Sequence, residues 1–448
     1  MSDLIISVSG LRGIVGVNLD PEVAMRFATA FADYAPPGPV LISRDGRATG
    51  KMMSDAVRAA LCAVGRQVID ADVAATPTAG VLVRQLGAAG GIQISASHNP
   101  PEYNGIKLFD QDGKVLSAES GAEVVARYER QQQSWVPHNE VGSVVECEDT
   151  LSNHARMVLA TVNVQRIRGC NFRVLLDSNH GAGGLLGCHL LKELHCHVEA
   201  RGSTPTGQFV HPPEPTAENL SKIRREVTSA NAAVGFCQDP DADRLAVIDE
   251  LGRYIGEEYT LAICLEHVLS QRLGTVVTNC ATSRMAEDLA KRFGVPFFRS
   301  AVGEAHVVNL MQKEGAVFGG EGNGGPIDPR VGYIRDSFVG MALILDAIAE
   351  RGRKLSEIVD ELPRYAIHKT KVSMPTSKVI AAFDALQTRF ADAAASRLDG
   401  IRLDWSDRWL LVRASNTEPI VRVIAEAPNE DQAGDLCDQA TAILEKVI

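Results

Sequence analysis

"GPVLISRDGRATG", Gly38–Gly50, sets how the rest of the chain is read. Val40 to Ser43 is a short apolar run bounded by Gly-Pro, the pattern of a buried strand. Arg44 to Gly50 is a polar loop punctuated by glycine, and "KMMSDAVRAALCAVG" after it carries apolar residues at helical spacing. The same scheme returns in "FRVLLDSNHGAGG" (Phe172–Gly184) before "LLGCHLLKEL", and in "GTVVTNCATSR" (Gly274–Arg284) before "MAEDLAKRFG". Three such strand-to-helix starts, at Val40, Val174 and Val276, predict three related α/β domains.

The tail has a different pattern. From about Ile367 the chain reads "HKTKVSMP", a helix over "KVIAAFDALQTRFADAAASR", then "WLLVRASNTEPIVRVIAEA" and a last helix. Two strands around a tight polar loop with helices outside predict a smaller C-terminal α+β domain. The polar stretch "YERQQQSWVPHNEVG", with Pro137, marks a boundary near residue 150. The expected domains are therefore 1–150, 151–254, 255–366 and 367–448.

With 448 residues, 45% hydrophobic and 23% charged, the composition is that of a soluble globular chain of several domains. A net charge of -11 argues against nucleic acid and anionic membrane as partners. An anionic substrate then needs a local basic pocket. "MSDLIISVSG" has no basic leader pattern, and no run approaches the roughly 18 apolar residues of a membrane span. Nine scattered cysteines fit free thiols in the cytoplasm. Cys188, His189, His195, Cys196 and His197 crowd together, but in a helix-to-strand pattern without CxxC spacing, which argues against zinc.

Four loops carry groups suited to chemistry. "SASHNP" (Ser95–Pro100) ends the strand-like "AAGGIQI", at the edge where α/β proteins bind ligands. A Ser97–His98 hydrolase pair is disfavoured, because neighbours in an extended loop point apart and no G-x-S-x-G elbow is present. "DPDADR" places Asp239, Asp241 and Asp243 at alternate positions after "AAVGFCQ". Three carboxylates so close repel unless a cation neutralises them, and hard oxygen donors suit Mg²⁺. A calcium loop is excluded, since Arg244 stands where the sharp turn needs glycine. "RASNTEP" (Arg413–Pro419) combines a guanidinium, hydroxyls, an amide and backbone N–H groups, the donor set a phosphate takes, with Arg422 on the next strand. "GGEGNGG" (Gly319–Gly325) offers a carboxylate and an amide for sugar hydroxyls. "SGLRGIVG" with Arg12 and "SRDGRATG" with Arg44 and Arg47 are basic loops able to reach a ligand.

With these motifs in this order, the whole chain resembles the α-D-phosphohexomutases, the family of phosphoglucomutase, phosphomannomutase and phosphoglucosamine mutase. "SASHNP" is similar to the family's phosphoserine loop, "DPDADR" to its metal loop, "GGEGNGG" to its sugar loop and "RASNTEP" to its phosphate loop; "SGLRG" and "NGIK" match further signatures. The resemblance implies four domains around a central cleft, the three α/β ones with mixed sheets, and exchange of phosphate between hexose 1- and 6-positions through a sugar 1,6-bisphosphate. It implies Ser97 as phosphoryl carrier and Asp239, Asp241 and Asp243 as Mg²⁺ ligands together with a phosphoserine oxygen. Lys107 and His98 would assist proton transfer or stabilise charge, with Arg12 near the moving phosphoryl group. Arg244, Glu321 and Asn323 would meet the sugar, and Arg413, Ser415, Asn416, Thr417 and Arg422 the non-reacting phosphate. Asn323-Gly324-Gly325 and "RDSFVGMALILDAI" resemble archaeal-type phosphoglucosamine mutases, although many relatives have Asp-Gly where this chain has Asp336-Ser337. Asn416 is shared with some dual-specificity phosphomannomutase/phosphoglucomutases. Phosphosugar is the implied partner, with glucosamine phosphate the expected substrate. Rival readings are a phosphatase with Asp239 as nucleophile and a non-catalytic sugar-phosphate-binding protein.

Overall fold

The computed structural model describes residues 4–7, 10–130, 134–415 and 419–447. Among them are four sheets, three of mixed direction and a C-terminal antiparallel one, so the α/β expectation holds.

The central strand of each mixed sheet is one of the three apolar runs read from the sequence: Val40–Arg44, Arg173–Asp177 and Val276–Asn279. Each is flanked by two parallel neighbours, and one neighbour pairs with an antiparallel strand. In the first sheet the order Val68–Val73, Val40–Arg44, Gly90–Ile94, Tyr103–Phe109 follows this rule, with three further strands added outside. In the second it is His197–Arg201, Arg173–Asp177, Val234–Gln238, Leu245–Asp249. In the third it is Phe297–Ser300, Val276–Asn279, Phe318–Glu321, Gly325–Ile327. The repeat is therefore one of topology. In all three, a loop singled out in the sequence joins the last parallel strand to the antiparallel one: "SASHNP", "DPDADR" and the Gly322–Gly324 turn.

Helices cover the sheets because their apolar faces must leave water. Asp20 caps Pro21–Tyr34, its carboxylate accepting from the Val23 amide at 2.9 Å. Glu257–Gln271 and Ser337–Arg351 are apolar almost all round and lie buried where the second and third domains share a core. The C-terminal sheet runs Ala366–Ser373, Ile420–Ala427, Trp409–Ala414, Ile401–Asp404, Ala394–Ser396. Here one expectation fails. The helix read through Arg397 ends at Arg389, and Ala394–Ser396 is an edge strand. Pairing with Arg402–Asp404 overrides the helical preference of the alanines. Trp409, Leu411 and Ile424 on one face of this sheet pack with Cys280 of the third domain. No helix among the described residues is long and apolar enough to cross a membrane.

Candidate active site

Ser97 is buried at the end of Gly90–Ile94 with φ of 50°, a left-handed conformation that costs a non-glycine residue about 1 kcal/mol. Arg47 holds it there. Its guanidinium donates to the carbonyls of Ser97 (2.7 Å), Asn99 (2.6 Å), Pro100 (2.7 Å) and Tyr103 (3.0 Å). Asp45 fixes Arg47 through Nε at 3.2 Å and takes the Ser95 hydroxyl at 2.7 Å. Arg47 is thus a fully buried strut of the loop, and Arg44 pairs with Asp72. Neither is the free ligand-reaching side chain that the glycine-rich loop suggests.

The turned backbone also changes the reading of His98. Its Nδ1 lies 3.3 Å from Ser97 Oγ, so the two neighbours converge. Burial, then the cations Arg244 and Arg12, push the imidazole down to about 3, so it is neutral at ordinary pH.

Across the domain boundary, Ser97 Oγ donates to Asp239 Oδ2 at 2.7 Å. Oxygens of Asp239, Asp241 and Asp243 all lie within 4.8 Å of one another, and all three side chains are buried. Lys107 Nζ, from the antiparallel strand after the serine loop, reaches Asp241 Oδ2 at 2.5 Å and Asp243 Oδ2 at 2.8 Å. Thr76 Oγ1 adds a bond to Asp241 Oδ2 at 2.5 Å, and Arg335 one to Asp243 Oδ2 at 2.6 Å. Lys107 and Arg335 thus occupy Oδ2 of Asp241 and of Asp243. Asp241 Oδ1 and Asp243 Oδ1 are buried with no hydrogen-bond partner, and Arg244 Nε lies 3.9 Å from Asp243 Oδ1. Two orphaned carboxylate oxygens beside a third carboxylate fit a hard divalent cation, since an unpaired buried acceptor is otherwise costly.

Burial opposes ionisation at all three positions, but the partners divide them. Lys107 holds Asp241 well below the usual carboxylate range, and Arg335 holds Asp243 down. Burial and the two neighbouring carboxylates raise Asp239. Lys107, between two carboxylates, is held up as an ammonium against its burial. Arg12 donates to Asn99 Oδ1 at 3.1 Å and so borders the serine loop. The Arg244 amide donates to Asp239 Oδ1 at 3.1 Å, while its Nε is buried without a hydrogen-bond partner, 3.9 Å from Asp243 Oδ1.

The loop that carries the three aspartates rests on Ser337. Its hydroxyl donates to the Ala242 carbonyl at 2.7 Å and accepts from Gln238 Nε2 at 2.8 Å. Ala242 has φ of 56°, and the serine that departs from the Asp-Gly pattern braces it. Asp336 caps the same helix by accepting from Phe338 and Val339 amides.

Glu321 is tied to this cluster through Arg335, whose NH1 donates to its Oε2 at 3.0 Å. Its Oε1 takes Asn279 Nδ2 at 2.7 Å. Asn323 Nδ2 is 3.5 Å from Glu321 Oε2, and Asn323 Oδ1 is buried and unpartnered. Glu304 completes the set, accepting the Arg335 amide at 2.7 Å and Nε at 3.3 Å. Sequence reasoning missed Arg335, Glu304 and Thr76. Glu304 and Thr76 lie outside any motif, Arg335 heads "RDSFVGMALILDAI" with nothing beside it to mark a role, and only the fold brings the three to the cluster.

In the C-terminal domain, Arg413 Nε donates to Asp399 Oδ2 at 3.0 Å, and the Ser415 amide closes the loop onto the Ile420 carbonyl at 2.9 Å. Arg422 is exposed, directly opposite Arg413 on the paired strand. Asn416 and Thr417 lie outside the described residues. Among the described residues no hydrogen bond or ion pair joins Arg413 or Arg422 to Asp239, Asp241 or Asp243.

Residues 4–135, 152–252, 257–365 and 370–443 match, in order, the phosphoglucomutase/phosphomannomutase alpha/beta/alpha domains I, II and III and C-terminal domain. The chain is 34% identical over 446 residues to a probable phosphoglucosamine mutase of Methanopyrus kandleri, covering 98% of this chain and 97% of that one. It is 36% identical over 452 residues to a phosphoglucomutase/phosphomannomutase of Thermococcus kodakarensis, covering 98% of each. The crystal structure of a putative phosphomannomutase from Thermus thermophilus superposes with a TM-score of 0.85 at 23% identity, covering 99% of each chain, which is a likeness of fold.

Proposed function

This chain belongs to the phosphoglucomutase/phosphomannomutase family, and we propose that it interconverts hexose 1-phosphate and hexose 6-phosphate through phosphoserine at Ser97 and a sugar 1,6-bisphosphate, acting on glucosamine phosphate. The observation that carries this is the approach of Ser97 Oγ to Asp239, 2.7 Å, inside a carboxylate cluster with two unpartnered oxygens. A phosphatase with Asp239 as nucleophile has no use for a serine at that distance. A binding protein has no use for the strained backbone that presents it.

Asp239, Asp241 and Asp243 are the residues that would hold Mg²⁺. When bound, it supplies positive charge against the phosphoryl oxygens, which is what phosphoryl transfer chiefly needs. Transfer breaks the bond from Ser97 Oγ to phosphorus as a bond forms from phosphorus to a sugar hydroxyl oxygen. The proton that the sugar hydroxyl gives up is matched by the one that Ser97 Oγ takes as it leaves, and the neutral ring of His98, 3.3 Å from Ser97 Oγ, relays it. The Lys107 ammonium and Arg12 add charge from the serine side. Arg244, Glu321 and Asn323 hold the sugar, and Arg413, Ser415, Asn416, Thr417 and Arg422 hold the other phosphate. The bisphosphate then turns end for end, and the reverse transfer restores phosphoserine. The four units that carry these loops are bounded near 150, 254 and 366.

Glucosamine phosphate is supported by Asn323-Gly324-Gly325 and by relatives such as the Methanopyrus protein, named a probable phosphoglucosamine mutase. A dual-specificity glucose and mannose phosphate mutase is the second reading, favoured by the name of the 36% identical Thermococcus relative. The test is isomerisation of glucosamine, mannose and glucose phosphates side by side, with Mg²⁺ and trace sugar 1,6-bisphosphate. The expected result is the highest kcat/KM for glucosamine phosphate. Equal rates on glucose and mannose phosphates favour the second reading, and no turnover on any defeats both.

A further inference from the structure

Three adjacent strands of the C-terminal sheet carry cations at one level. Lys371 stands directly opposite Arg422, and Arg422 directly opposite Arg413. Residues opposite each other on paired strands share a face, so the three form a row. Like charges in this arrangement repel, which destabilises a sheet unless an anion lies between them. Arg413 has its carboxylate in Asp399. Lys371 and Arg422 are exposed and have no acidic partner among the described residues.

The direction of this face is fixed by its other end. Trp409, Leu411, Ile424 and Ile367 lie on it and pack against Cys280, Ala281 and Val302 of the third domain. Between the two ends, Lys369 is close enough to Glu257 and Glu258 of the third domain to stabilise their ionised forms. The face thus leaves the domain interface and continues past Lys369 to the cation row. Ser415 closes the phosphate loop at that same end, onto Ile420.

We propose that Lys371 is a third cation of the phosphate anchor, contacting the non-transferring phosphate of the substrate beside Arg413 and Arg422. The assignment rests on the mutase reading. An ammonium suits the position, because a compact point charge on a flexible stem accepts a phosphate from many directions, whereas a guanidinium demands a planar approach. A bisphosphate that turns end for end presents its anchored phosphate from C1 in one half of the cycle and from C6 in the other.

The test uses the full chain and inorganic phosphate as probe, titrated calorimetrically without divalent metal, followed by steady-state kinetics. Lys371→Ala is expected to weaken phosphate binding about three- to tenfold and to raise KM by a similar factor with kcat within twofold. Lys371→Arg is expected to recover most of the phosphate affinity, and Arg422→Ala to lose at least as much as Lys371→Ala. Phosphate affinity and KM unchanged in a folded Lys371→Ala protein would overturn the assignment while leaving the mutase reading intact. If wild type turns over no phosphosugar, the mutase reading fails, and the phosphate titration alone decides whether Lys371 belongs to an anion site.

Discussion

At the Ser97 end of the molecule, Asp241, Asp243, Lys107 and Arg335 are all buried, and each cation is matched to a carboxylate within 2.8 Å. In the C-terminal row, Arg422 and Lys371 face solvent and repel each other across paired strands. The first arrangement is organised before any ligand arrives, and needs little rearrangement when charge moves. The second is incomplete without an anion. In the mutase we propose, chemistry is confined to the rigid end, and the open end takes hold of a phosphate and lets it go, as a substrate that must turn around requires.

The largest test of that contrast is at the rigid end. Ser97→Ala and Asp241→Asn are each expected to lower kcat by about 10³-fold or more, since one removes the carrier and the other a carboxylate of the cation site. Retention of a tenth of wild-type kcat in either would break the comparison. Arg47→Met strikes the same end through its support. It leaves Asp45 as an uncompensated buried charge and frees four carbonyls, so a loss of about 3–5 kcal/mol in urea unfolding is expected. A loss below about 1 kcal/mol would mean that the loop does not depend on its strut. At the open end, Arg422→Ala is expected to raise KM about tenfold with kcat nearly kept, as exposed charges act on binding rather than on reacting atoms. An equal fall in kcat would place Arg422 at the reacting centre.

A smaller effect concerns Glu258, which lies between the two ends. Its carboxylate accepts from the Ser283 amide at 3.0 Å and presses on the sugar loop, where a Cβ at Gly322 would meet it at 2.0 Å. Burial pushes its carboxyl up to about 8, from an ordinary 4.5. A raised carboxyl binds more protons folded than unfolded between those values, so stability falls as pH rises from 4.5 to 8. Glu258→Gln is therefore expected to flatten the decline of Tm across that window. An unchanged slope would show that Glu258 ionises normally.

The repeated strand-to-helix starts at Val40, Val174 and Val276 were legible because a buried strand and an amphipathic helix each leave a period in the sequence. "SASHNP" and "DPDADR" were legible because both crowd polar groups at a strand end. The helix past Arg389 was misread because alanine favours helix locally, while strand pairing is settled by a partner distant in sequence. The turn at Ser97 was hidden because a left-handed serine leaves no mark without its strut, and Arg47 sits 50 residues away. Arg335 and Lys371 were silent for the same reason: a single cation acquires meaning only from what the fold sets beside it.

The most direct measurement is to incubate the chain with sugar 1,6-bisphosphate and Mg²⁺ and locate the phosphoryl group by peptide mass spectrometry. The account predicts phosphate on Ser97, discharged when hexose monophosphate is added and absent in Ser97→Ala. Phosphate on Asp239, or release of free phosphate with Ser97 never labelled, would contradict it.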